Sequence, residues 1–183
     1  MKNKSIKYWQ TALYLNIIFR IFGPLALFLS APIGIFLAWV SDKPDGYLTF
    51  RLGWKFKKYH RLDKILDYWW YIIILIYSFR LVIFPTILVL FLFRSIGQII
   101  SLVSAKEKYL LLFPNCLEVF FALYLVFSYL LPNYLWLFTS YNKLIIISFC
   151  FLFALSQEYR INIKKIYVAN FFWKLNLDWS KNK

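Results

Sequence analysis

The chain has 183 residues, of which 62% are hydrophobic and 16% charged, a balance far from that of a soluble domain and long enough for one helical bundle. A formal net charge of +14 could suit nucleic acid, but the Lys and Arg residues form short clusters beside apolar segments, as in proteins that meet anionic headgroups. The expected class is therefore an all-α integral membrane protein with about four transmembrane helices and basic amphipathic interfacial helices, and nucleic acid is not an expected partner.

Lys2, Lys4 and Lys7 precede the first apolar region, which extends from Tyr8 to Val40. Arg20 interrupts it and no small-x-small cleavage pattern follows, so the segment is expected to be retained. Gly23-Pro24 divides the region, because proline suits the first turn of a helix, where its missing N–H is not needed. We expect an interfacial helix over 6–22, with Asn16 and Arg20 reaching headgroups, and a span over 24–40. Within that span Ala26, Ser30, Gly34 and Ala38 recur every fourth residue, a small-residue face that lets another helix come close in lipid.

Residues 51–67 alternate cations with apolar side chains. Leu52, Phe56, Tyr59, Leu62, Leu66 and Trp69 follow helical spacing, while Arg51, Lys55, Lys57, Lys58, Arg61 and Lys64 fill the other positions. That pattern predicts an interfacial helix contacting anionic lipid. The only histidine, His60, falls in it and reads as a headgroup neighbour.

A second apolar region runs over 68–104 and predicts a span at 69–93, with 94–105 either prolonging it or folding back at Pro85. Gly97, Ser101 and Ala105 make a second small-residue face there. Further spans are expected at 110–131 and 143–158, separated by Pro132-Asn133, and a last interfacial helix at 160–179. Tyr and Trp beside the segment edges, among them Trp9, Trp54, Trp69 and Trp136, suit the headgroup zone. Four simple spans put eleven Lys and Arg on one side and eight on the other, whereas hairpins in the first two apolar regions put eighteen against one. Both arrangements leave the termini on the cytoplasmic side of a bacterial inner membrane or its organellar equivalent.

Ionisable residues inside spans are functional candidates because burying charge in lipid is costly. These are Arg80, Arg94 and Glu118. Arg94 and Glu118 lie twelve residues either side of Lys106, so an antiparallel helix pair would set them at one depth, which predicts an ion pair between them joined by Gln98 and Asn115. Arg80, placed mid-span, asks for a partner such as a carboxylate on another subunit. Cys116 and Cys150 have no metal or redox spacing and read as buried hydrophobes. No catalytic motif, phosphate loop or dinucleotide fingerprint is present, no carboxylate pair is recognised within a span, and neither cofactor nor metal is expected. The functional expectation is an accessory, assembly or structural subunit of a larger membrane complex, packing on other membrane subunits. The alternative is a small carrier or channel for an anionic or lipid-like solute along Arg80, Arg94 and Glu118.

Overall fold

In the computed structural model, residues 2–104 and 106–164 are described, and every regular element among them is helical. Three helices are long and apolar enough to cross a membrane: Ile6–Phe28, Phe84–Ser104 and Lys143–Ile161. The interfacial helix expected at 160–179 lies largely outside the described residues, as does Ala105.

The chain forms two compact units, the first ending at Trp70 and the second beginning at Tyr71. In the first unit α1 (Lys2–Phe22) passes at Gly23-Pro24 into a 3₁₀ segment, Gly23–Phe28, and the chain then turns into α2 (Ala31–Asp42). Proline near the start of both segments explains the breaks, since its ring excludes it from a helix interior. The long apolar helix is thus Ile6–Phe28 rather than 24–40, and 6–22 belongs to it instead of forming a separate interfacial helix. Ser30 is extended (φ −154°, ψ 114°), so Ala26 and Ser30 precede α2 while Gly34 and Ala38 lie within it. The expected four-residue ladder is consequently split between two elements. Gly34 still has a packing role, because it lies against the Leu27 main chain so closely that a Cβ would overlap it.

A short helix, α3 (Asp45–Arg51), leads through Gly53, whose positive φ of 68° suits only glycine well, into α4 (Phe56–Ser78). Residues 51–67 are therefore not one interfacial helix. They span the end of α3, a left-handed turn and the first half of a 23-residue helix. That half buries His60 and Asp63 together with Leu66, so its inner face is partly ionisable. Trp69 Nε1 donates to the Ile21 carbonyl at 2.9 Å and ties α4 to α1.

The apolar region 68–104 is broken as well. α4 ends at Ser78, residues 79–83 turn, and α5 (Phe84–Ser104) begins with Pro85 in its first turn. A span over 69–93 is replaced by two helices, because proline is tolerated only at such a start. In the second unit α5 is followed by a 3₁₀ turn, Glu107–Leu111, then α6 (Cys116–Leu130), a second 3₁₀ segment, Pro132–Phe138, and α7 (Lys143–Asn162). The span expected at 110–131 shortens to 15 residues, since Pro114-Asn115 ends the preceding turn and the Asn115 side chain caps α6 by accepting from the Glu118 N–H at 3.4 Å. Phe138 is fully buried, with the rings of Phe120, Tyr124 and Phe127 meeting it edge-on at 5.3 to 5.5 Å. Ile87, Leu90, Arg94, Gly97, Gln98 and Ser101 are the buried positions that recur along one face of α5. Gly97 lies against Phe113, where a Cβ would overlap the Phe113 side chain.

Candidate functional site

The first unit gathers four carboxylates on one guanidinium. Arg20, near the end of α1, is 5% exposed, and its Nη1 donates to Asp45 and, at 3.2 Å, to Asp63. Its Nη2 reaches Asp67 at 2.7 Å and Asp42 at 3.0 Å. Each partner arrives for a local reason. Asp42 closes α2 and Asp45 opens α3, two bends of the chain apart by only three positions. Asp63 and Asp67 are one turn apart on α4 and so share a face. Arg20 was expected among headgroups; its burial is tolerated because charged partners surround it.

The cluster is acidic in balance. Lys64 joins it, with Nζ 2.8 Å from both Asp63 and Asp67, and Lys43 lies 3.0 Å from Asp42. Among the described residues, three cations therefore face four carboxylates. Lys64 thus turns inward and leaves the set expected on anionic lipid. Burial raises the Asp45 carboxyl well above its ordinary range, and the other carboxylates add to this against the pull of Arg20. At Asp63 burial pushes the same way, but the Lys64 ammonium and the Arg20 guanidinium outweigh it and hold the group below its ordinary value. The difference is physical: Asp63 has two cations, whereas Asp45 has one that it shares with three other acids.

Asp42, Asp63 and Asp67 each offer an oxygen, and these oxygens all lie within 4.8 Å of one another. A bound cation would need these oxygens drawn in to about 2.0 to 2.6 Å from itself, in competition with the contacts they make to Arg20 and Lys64. Asp45 is held by Arg20, and by the Gly46 N–H at 2.5 Å, while the Thr49 hydroxyl donates to its carbonyl at 2.7 Å. All four carboxylates are anchored on Arg20, and the point they share is its guanidinium.

His60 is fully buried and stacks on Phe56 at 5.6 Å, which replaces its expected place among headgroups. Four of the chain's eight acidic residues form this cluster. Sequence reasoning passed over all four, although the signal was present as two carboxylates three apart and two more four apart in an acid-poor chain.

The polar residues named for the second unit also converge, around a group that was not named. The Tyr71 hydroxyl receives Asn115 Nδ2 at 3.1 Å, Gln98 Nε2 at 3.4 Å and Arg94 Nε at 3.4 Å. Arg94 Nη1 donates to the Phe113 carbonyl at 2.7 Å and lies 2.9 Å from Glu158 of α7. Glu158 is mostly buried, on the face of α7 that also buries Cys150 and Ala154. Arg80 lies in the exposed turn between α4 and α5, not at mid-helix.

Fold and site define an all-helical protein with three helices fit to cross a membrane and an acidic cluster built around a buried arginine. Among known proteins, no family, curated protein or solved structure matches the chain.

Proposed function

We propose that this chain is a membrane enzyme that binds a divalent cation at Asp42, Asp63 and Asp67 and uses it on a phosphate-bearing substrate. The observation carrying the reading is the mutual approach of three carboxylate oxygens to within 4.8 Å. A structural clamp needs one or two carboxylates on an arginine. Four repel each other, and a hard cation relieves that repulsion. Magnesium in particular is held by few carboxylates and completes its shell with water and substrate phosphate.

In this reading Asp42, Asp63 and Asp67 would hold the cation, which would supply Lewis-acid stabilisation of charge on a phosphoryl group. Arg20 holds Asp45 and keeps α1, α3 and α4 in register.

The subunit and carrier readings find less support. The small residues Gly34 and Gly97, invoked as docking faces, are taken up inside the chain. Arg94 is paired with Glu158, and Arg80 is in a turn, so the ionisable path of a carrier is not continuous.

The test is manganese binding by the full chain in lipid vesicles, followed by electron paramagnetic resonance, with phosphorus NMR of added phospholipids under the same conditions. Saturable binding that Asp63→Asn with Asp67→Asn abolishes, together with cation-dependent turnover of a phosphorus signal, is expected. Binding that is unchanged in the double variant overturns the metal site, and binding without turnover of any phosphate ester overturns the enzymatic reading.

A further inference from the structure

We infer that the outer face running from the end of α3 through the first two turns of α4 is a binding surface for the headgroups of anionic phospholipids. From Gly46 to Leu62 the chain has no Asp or Glu, and Arg51, Lys55, Lys57, Lys58 and Arg61 are all exposed. α4 is two-faced here. His60, Asp63 and Leu66 are buried, whereas Lys57, Lys58, Arg61 and Ile65 point outward. The only cation of the segment drawn into the acidic cluster is Lys64, so the exposed ones are not neutralised by it.

Two observations in the same unit identify the partner as lipid. Aromatic rings underlie the cations: Lys58 lies 4.0 Å over Trp54, and Arg51 lies over both Trp9 and Tyr47 while its Nε donates to the Tyr47 hydroxyl at 2.9 Å. Trp and Tyr are the residues that favour the headgroup zone. The second is α1, which exposes Tyr14, Leu15, Ile18, Phe19 and Phe22 over a helix long enough to cross a membrane. A contiguous apolar face of that extent is a liability in water and a fit to acyl chains. A soluble polyanion matches the positive charge but not the adjoining apolar helix. An anionic phospholipid matches both, with its phosphate on the cations and its tails beside α1.

The surface is on the face of α4 opposite the carboxylates, so it stands or falls independently of the metal site. Its occupant is a bound lipid and not a reacting one.

The test compares the intact chain with the variant Lys55→Gln, Lys57→Gln, Lys58→Gln, Arg61→Gln, which changes only exposed side chains and leaves Arg51 on its rings. Both are extracted from vesicles of equal phosphatidylcholine and phosphatidylglycerol, and retained lipid is measured by native mass spectrometry. Each basic residue near an anionic surface is worth about a fivefold preference. We expect phosphatidylglycerol enrichment in the intact chain, falling at least tenfold in the variant, while thermal unfolding is unchanged. Equal retention of the two lipids by the intact chain, or unchanged enrichment in the variant, overturns the inference. So does displacement of the lipid by inorganic phosphate, or by a short oligonucleotide, beyond that caused by chloride at equal ionic strength, because the surface would then belong to a soluble anion.

Discussion

Replacing Arg20 by Met should convert the acidic cluster from a self-held structure into one dependent on an added cation. The guanidinium contacts all four carboxylates, and without it only Lys43 and Lys64 remain against them. Two carboxylates about 4.8 Å apart repel by about 3.5 kcal/mol at an effective dielectric constant of 20. Loss of one partner from a buried ionic group typically costs about 3 to 5 kcal/mol. For a chain of 183 residues that corresponds to a fall in Tm of about 6 to 20 °C. Unfolding of the purified chain in mild detergent, followed by intrinsic fluorescence in chelator and in magnesium or calcium, reads the effect. A cation at about a hundred times its Kd returns about 2.7 kcal/mol, so a large part of the loss should reappear in Arg20→Met and less in the native chain, where Arg20 competes for the same oxygens. Acidification should act in the same direction. Without Arg20 the carboxylates hold protons at higher pH in the folded state than in the unfolded one, and the variant gains stability as pH falls. Equal stability of variant and native chain in chelator, or failure of both cation and acid to restore the variant, would refute the reasoning.

Asp45 and Asp63 should move stability with pH in opposite senses. Asp45 titrates above its ordinary value of 3.8, so its contribution is fully present below that pH and is lost as pH rises through the raised folded value; Asp45→Asn should gain on the native chain over that rise, as denaturant titrations will show. Asp63 titrates below 3.8, so its contribution is present above that pH and lost on acidification, and Asp63→Asn should flatten the acid limb in the same titrations. Glu158→Gln should cost about 3 to 5 kcal/mol by removing a carboxylate from buried Arg94, while the double change with Arg94→Met should cost much less than the two single effects combined, read by the same unfolding assay as a double-mutant cycle. Tyr71→Phe should cost about 1 to 3 kcal/mol, because Asn115, Gln98 and Arg94 lose a shared acceptor, and it should do so without changing cation binding. Gly34→Ala should lower expression and Tm more than a replacement of the exposed neighbour Ile33 by Ala, since the added methyl meets the Leu27 main chain.

The helical class was legible from composition, and the turn at Pro132 from the residues that form it. α7 also begins at Lys143, where a span was expected, although it runs on to Asn162. Span boundaries were harder because prolines 24, 32, 85 and 114 each mark a helix start, and an apolar run gives no sign of a break except through them. The convergence of Arg94, Gln98 and Asn115 could be sensed from equal depth on paired helices. Its centre, Tyr71, could not, because a tyrosine at the edge of an apolar run reads as an interfacial residue. The acidic cluster was missed for a related reason. Arg20 and its partners are separated by 22 to 47 positions, and hydropathy treats each as a local blemish. Their spacing becomes meaningful only when α2, α3 and α4 are folded back along α1.

That separation also orders the birth of the protein. Arg20 is made with a long apolar stretch on both sides of it, while its last counter-charge, Asp67, follows 47 residues later. At about 5 to 20 residues per second, about 1 to 4 seconds pass before the first counter-charge, Asp42, is made and about 2 to 9 before the last. Arg20 is thus matched in stages, first from α2 and α3 and last from α4, and a chain cut short before Asp63 carries only two of its four partners.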